Sequence, residues 1–376
     1  ANLHNEIWKA TVLAMNFRLP SESAKTNFQL IIAPDMERNL ASRPSQGREC
    51  LPNAINLDTF KPAAIDSKDS LRTQLEHEMG LAEGALQGNL LFTCGRPADR
   101  KNQLMIVKAV EELARSGLTD TKLVICGLNF DAREGEEAEI TQQILRHVRE
   151  HGLEEHVILR GKEPQSRLVD LTRAADFAIY PNKEEPDGLV VKETFGVAGD
   201  LANPDGSVTP GNKLVLISTK TTKAAKLVND NVPGSVVYVS PSDHRSLAGV
   251  LMNYIADRDA YDAQAERAHA GGNWVRENLD MGGYVHNLRQ FYERCRGALQ
   301  HMQPDQKTEL RRELTMKLDV LGMGDAAVNR GQEMLQNLTG AVGDSMAAKM
   351  LQTFTRRNQM NRTPPYLESC PIQYNH

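Results

Sequence analysis

Glu185-Pro186-Asp187-Gly188-Leu189-Val190-Val191-Lys192-Glu193 decides the reading of this chain. Two glutamates flank seven residues that include a glycine turn. The apolar run Asp176-Phe177-Ala178-Ile179-Tyr180-Pro181 just before it predicts a strand, and a helix is expected from Leu189. A strand, a tight turn and a helix N-terminus together present free backbone N–H groups and the positive end of a helix dipole to an anion. One carboxylate then lies in the turn and the other about two helical turns deeper, on the same face. Such an arrangement fits sugar hydroxyls flanking a diphosphate.

Upstream, Gly95-Arg96-Pro97-Ala98-Asp99-Arg100-Lys101-Asn102 directly follows the strand-like run Leu90-Leu91-Phe92-Thr93-Cys94. Ligands of an open α/β sheet sit at the carboxyl ends of its strands. Arg96 and Lys101 on such a loop can neutralise a diphosphate, Arg bidentately and Lys as a point charge. Between the two loops the chain alternates short apolar runs with amphipathic ones. Strands are read at Lys122–Gly127 and Val157–Gly161, and helices at Asn102–Ser116, Glu136–His151 and Ser166–Ala175. The Asn102–Ser116 helix is expected to bury Leu104, Val107, Val110, Leu113 and Ala114. Further strands are read at Leu214–Ser218 and Val236–Val239, with a helix at Thr222–Val228. Strands alternating with helices predict an α/β, Rossmann-like parallel sheet covered on both faces.

Leu51-Pro52-Asn53-Ala54-Ile55-Asn56-Leu57-Asp58-Thr59-Phe60-Lys61-Pro62 supplies the third motif. It resembles the P-N-G-[VI]-D segment, followed by Phe and Pro, that joins the domains of family 4 glycosyltransferases. Ala54 stands in place of the usual Gly and Asn56 in place of the usual Asp. With the Arg96/Lys101 spacing and the Glu185/Glu193 pair, in this order, the chain resembles retaining glycosyltransferases of the two-Rossmann-domain (GT-B) architecture. Asp187-Gly188, Lys192-Glu193 and Leu214–Ser218 also resemble trehalose-6-phosphate synthases.

The resemblance implies the C-terminal half of a GT-B fold and transfer of a mannose- or glucose-type sugar from a GDP- or UDP-linked donor, with retention and without a metal or other cofactor. It gives Arg96, Lys101 and Glu185 catalytic roles. Arg96 and Lys101 would take the diphosphate, Glu185 the sugar hydroxyls and Glu193 the ribose. Backbone N–H groups of Gly188, Leu189 and Val190, beside Gly95 and Asp187, would meet the phosphates. Gly161 and Lys162 fall where the family holds the nucleobase. The run after Glu193 departs from the family pattern and reads as an inserted loop over Val197–Gly211.

Three segments are expected. Residues 1–60 hold the end of an N-terminal Rossmann domain and the interdomain segment, including a short strand at Gln29–Pro34, a helix from Asp35 and a loop at Arg43–Gly47. Residues 61–298 hold the nucleotide-sugar-binding domain, with closing helices from Trp274. Residues 299–376 form a helical extension and tail. Only about 50 residues precede the interdomain segment, where the family has a whole domain. Either the chain is a fragment, or its C-terminal helices serve another purpose, such as docking a protein acceptor in the manner of an effector. The alternative function is a non-catalytic nucleotide-sugar-binding module that binds a protein through those helices.

Composition narrows the classes. The net charge of −5 gives no basic footprint for nucleic acid. The aromatic share of 5% argues against a stacking surface for single strands. No apolar run is long enough for a membrane span, and the N-terminal residues lack a signal-peptide pattern. Five scattered cysteines without a C-x-x-C fit a reducing, cytoplasmic setting. His147 and His151 have metal-like i, i+4 spacing, but their charged helix reads as a solvated face.

Overall fold

The computed structural model describes residues 17–19, 26–31, 47–50, 52–63, 67–185, 187–284, 286–287 and 290. The chain divides into two units, one of which is Ile55–Asp280. The other holds a three-stranded sheet of β1 (Phe17–Leu19), β2 (Thr26–Ile31) and β3 (Gly47–Cys50), in that order. β2 pairs antiparallel with β1 and parallel with β3. β2 therefore starts and ends earlier than the apolar run Gln29–Pro34, and Gly47 opens a strand rather than closing a loop. The helix expected from Asp35 and the extension over 299–376 lie outside the described residues.

The unit Ile55–Asp280 alternates strand and helix. Its elements run α1 (Lys68–Met79), β4 (Asn89–Cys94), α2 (Gln103–Arg115), β5 (Thr121–Cys126), α3 (Glu136–Glu150), β6 (Val157–Leu159), α4 (Gln165–Ala174) and β7 (Phe177–Tyr180). They continue with α5 (Leu189–Ala198), the hairpin β8 (Leu201–Ala202) and β9 (Val208–Thr209), β10 (Val215–Ser218), α6 (Lys223–Asn231), β11 (Val237–Tyr238), α7 (His244–Ala256) and α8 (Arg258–Asn278). Six strands form one sheet in the order β11-β10-β7-β4-β5-β6, and every pairing is parallel. From β4 the chain winds outward through β5 and β6, then returns to the other side of β4 and winds out through β7, β10 and β11. The switch point therefore lies between β4 and β7, where open α/β sheets bind ligands.

The strands are mostly apolar on both sides because helices cover both faces. On β4, Leu91 joins a core with Phe177, Ile179, Val215 and Ile217 under α2, α3 and α7, while Leu90 and Phe92 join α1 and α4 on the opposite face. Ala178, Tyr180 and Leu216 continue that opposite face under α5, α6 and α8. α2 buries a wider stripe than expected. Met105, Ile106 and Ala109 are fully inside, and Leu104 and Ala114 are half-buried at its margin. Trp274, where the closing helices were expected to begin, lies within α8. The expected loop after Val197 contains the β8–β9 hairpin, turning through Asn203–Gly206.

Three anchors fix the frame. Arg72 of α1 is buried, donates to Ala174 O and Gly88 O, and pairs with Asp176 at 2.6 Å. Lys68 reaches the same carboxylate at 3.1 Å. On α8, a Cβ at Gly272 would lie 2.3 Å from Gly199 N, so only glycine lets α8 approach the end of α5. Ile55 belongs to the same core as Val191 and Phe195 and donates its N–H to Leu279 O at 3.0 Å. Asn56 Oδ1 accepts from Asp58 N and Thr59 N, an Asx turn that the substituted Asn56 still supports.

Candidate donor-binding site

The loops after β4 and β7 meet at the switch point. Residues 99–101 form one 3-10 turn, and Asn102 then takes φ 58°, a left-handed conformation that Asn tolerates best among non-glycine residues. Its Nδ2 donates to Pro181 O at 3.0 Å and Pro241 O at 2.7 Å. Lys183 N donates to Arg100 O at 2.8 Å. These bonds tie the loops after β4, β7 and β11 into one rim.

Glu185 stands at the centre of that rim and is 7% exposed. Its Oε2 accepts from Arg100 Nη1 at 2.8 Å and from Lys101 Nζ. Lys101 and Glu185, read from the sequence as diphosphate and sugar contacts, lie directly against each other. Arg96 is not part of this cluster: its side chain is 67% exposed and its Nε lies 3.4 Å from Glu137. The basic residue beside Lys101 is Arg100, which stood in the quoted loop without being singled out.

α5 begins at Leu189, so Glu193 is its fifth residue, about one turn in rather than two. Gly188 precedes it with φ +87° and no side chain caps the helix. The first-turn N–H groups at Gly188–Val190 have no carbonyl of their own helix to bind. A Cβ at Gly188 would lie 2.7 Å from Thr222 Cγ2, so the turn admits only glycine. Lys223 N donates to Glu185 O, and Ala224 N to Asp187 O at 2.6 Å, strapping the turn to the start of α6.

Two supports went unread in the sequence. Lys192 is fully buried, and its ammonium meets Asp187 Oδ1 at 2.5 Å beneath the turn. Asn182 O accepts from Thr219 Oγ1 and Thr221 Oγ1, and Asn182 Nδ2 donates to Thr222 Oγ1. The signal for the latter was the run Thr219-Lys220-Thr221-Thr222, directly after a strand and therefore at the ligand edge of the sheet.

Glu193 is half-buried. Tyr180 Oη and Thr194 Oγ1 share a hydrogen bond of 2.9 Å, and burial raises the phenol well above its usual range. Burial, then the Glu193 carboxylate, push the Cys94 thiol up to about 12, while Lys101 acts in the opposite sense. Glu193 and Lys101 are therefore both felt at the end of β4. Gly95 N donates to Cys126 O and Gly127 N to Gly161 O, which places Gly95 and Gly161 along the same edge. Lys162 beside Gly161 is exposed. Among the described residues no helix is long and apolar enough to cross a membrane.

The switch point of this Rossmann-type sheet thus brings together an uncapped helix start and the Arg100, Lys101 and Glu185 cluster, at the edge where open α/β sheets take their ligands. Residues 83–197 match the family described as Glycosyl transferases group 1. Over those residues the chain is similar to glycosyltransferase group 1 domains, and it spans less than half the length of the curated relative it matches. It is 27% identical over 168 residues to the lipopolysaccharide 1,2-N-acetylglucosaminetransferase of Salmonella typhimurium, an alignment that spans 44% of this chain and 41% of that protein. Its fold is similar to sucrose-phosphate synthase from Thermosynechococcus elongatus, with TM-score 0.56 and 18% identity over 78% of this chain and 62% of that one. It is likewise similar to Anabaena HepE in complex with UDP, with TM-score 0.54 and 15% identity over 70% of this chain and 62% of that one.

Proposed function

We propose that this chain holds the donor half of a retaining, metal-independent glycosyltransferase that takes a hexose from a GDP- or UDP-linked sugar. The observation that carries the reading is the convergence of Lys101 and Arg100 on Glu185, beside the uncapped start of α5 at the switch point.

In this reading the diphosphate lies against the N–H groups of Gly188, Leu189 and Val190, with Lys101 turning from Glu185 toward it. Arg96 swings from Glu137 to join. Positive charge held there stabilises the negative charge that builds on the leaving diphosphate, where a preorganised donor is worth about 10²–10³ in rate. Glu185, released from its cations, accepts hydrogen bonds from the sugar hydroxyls. Glu193 takes the ribose, and the backbone around Gly161 and Lys162 takes the base. Asp187 does not reach solvent as a free ligand, since it holds Lys192; its part is to shape the turn. The sequence leaves the acceptor open, with a protein as one candidate, and a cytoplasmic location belongs to the same proposal.

The test is donor turnover. With UDP-glucose and GDP-mannose as probes, Lys101→Ala and Arg96→Ala should each lose about 100-fold or more in donor hydrolysis or transfer while unfolding at the wild-type temperature. Wild-type turnover in both variants would overturn the assignment.

A further inference from the structure

We propose that Glu111, His147 and His151 form a binding site for a divalent transition-metal ion of the zinc class, on the helical face remote from the donor loops. His147 on α3 and His151, the residue that caps its C-terminus, stand one turn apart, with rings stacked at 4.2 Å. Glu111 comes from α2, across the interface. Its Oε2 lies 2.8 Å from His147 Nε2 and its Oε1 2.7 Å from His151 Nδ1. All three donor atoms lie within 4.8 Å of one another.

Two imidazoles and one carboxylate are a donor set that zinc-class ions prefer, and three protein ligands leave a fourth position for water. Tetrahedral zinc at about 2.1 Å from each donor needs donors roughly 3.4 Å apart, so the two contacts to the Glu111 oxygens have to open by about half an ångström, and donor atoms up to 4.8 Å apart have to draw together around one ion. The way in is from solvent, since the His151 side chain is 34% exposed and that of His147 15%. The Glu111 carboxylate is only 9% exposed, which makes it a fixed anchor.

Among the described residues, Arg115 is the Lys or Arg ion-paired with Glu111, through Oε1. Its side chain is 60% exposed and already lies 3.7 Å from Glu112 Oε1, so it can turn aside without losing a carboxylate. The i, i+4 histidines alone read as a solvated face; the third ligand comes from a different helix, and only the fold supplies it.

Both helices run back from the ligand edge of the sheet, and Glu111 is eight residues along α2, about 12 Å from its start. An ion there clamps α2 to α3 and does not touch the donor. The test is titration of the whole chain with cobalt(II) as a spectroscopic probe and with zinc by calorimetry. We expect one equivalent, visible cobalt absorption of a low-coordinate site, and a higher melting temperature with zinc. His151→Ala, an exposed change, and Glu111→Gln should each weaken binding by on the order of 100-fold and abolish the thermal shift. Absence of stoichiometric binding by the wild type, or equal binding by His151→Ala, would overturn the site.

Discussion

Lys101 and Glu185 are 84 residues apart in sequence and joined by a direct hydrogen bond between ammonium and carboxylate. That bond closes the loop after β4 onto the loop after β7. It also means that, without donor, the cation expected at the diphosphate is neutralised by the group expected at the sugar.

Glu185→Gln separates these roles. The change removes the charge that holds Lys101 and Arg100. UDP or GDP should then bind several-fold more tightly, because both cations are free to meet phosphate, while sugar transfer falls by about 100-fold. Calorimetry against turnover checks the split, and parallel losses in both would contradict it.

Asp187→Ala leaves the fully buried Lys192 ammonium without its carboxylate. Loss of one partner of a buried pair costs about 3–5 kcal/mol, whereas replacing both by apolar groups is often near neutral. Urea unfolding should therefore show a large loss for Asp187→Ala, with much of it recovered in Asp187→Ala/Lys192→Met.

Gly188→Ala places a methyl 2.7 Å from Thr222 Cγ2 at φ +87°. The backbone strain alone is of order 1–3 kcal/mol. Adding Thr222→Ser removes the clashing methyl but keeps the hydroxyl that Asn182 binds at 3.0 Å. Partial recovery of the denaturation midpoint in the double variant is expected; none at all would mean that the clash is not the cause.

Acid sensitivity is expected at Asp176. Burial pushes its carboxyl up, but Lys68, Arg72 and the Leu90 N–H more than offset that and hold it below its ordinary value. Burial pushes the Lys68 ammonium down in spite of the pair. A carboxyl lowered in the folded state stabilises fully above its unfolded value of about 3.9 and loses that contribution as pH falls through the folded one. Asp176→Asn should flatten the fall in stability measured by urea midpoints from pH 6 to pH 3.

Much of this was legible because the relevant signals are local. Buried parallel strands write continuous apolar runs, so β4, β5, β7 and β10 stood out within a residue or two. Gly188 marked its turn, and Lys101 and Glu185 were each singled out within their own loops, though not as a pair. What escaped depends on pairing across the sheet. Arg100 and Arg96 are interchangeable in sequence, and only the 3-10 turn decides which one faces Glu185. Lys192 gains its role only when Asp187 is seen beside it. Glu111 becomes relevant only when α2 meets α3.

Calorimetric titration of the chain and of Lys101→Ala with UDP, GDP and ADP tests the central claim most directly. The account predicts that UDP or GDP binds the wild type and that Lys101→Ala weakens it by about 10-fold or more, the worth of one charge-assisted contact to phosphate. Binding of equal strength in both proteins, or no binding of any nucleotide by a folded wild type, would contradict it.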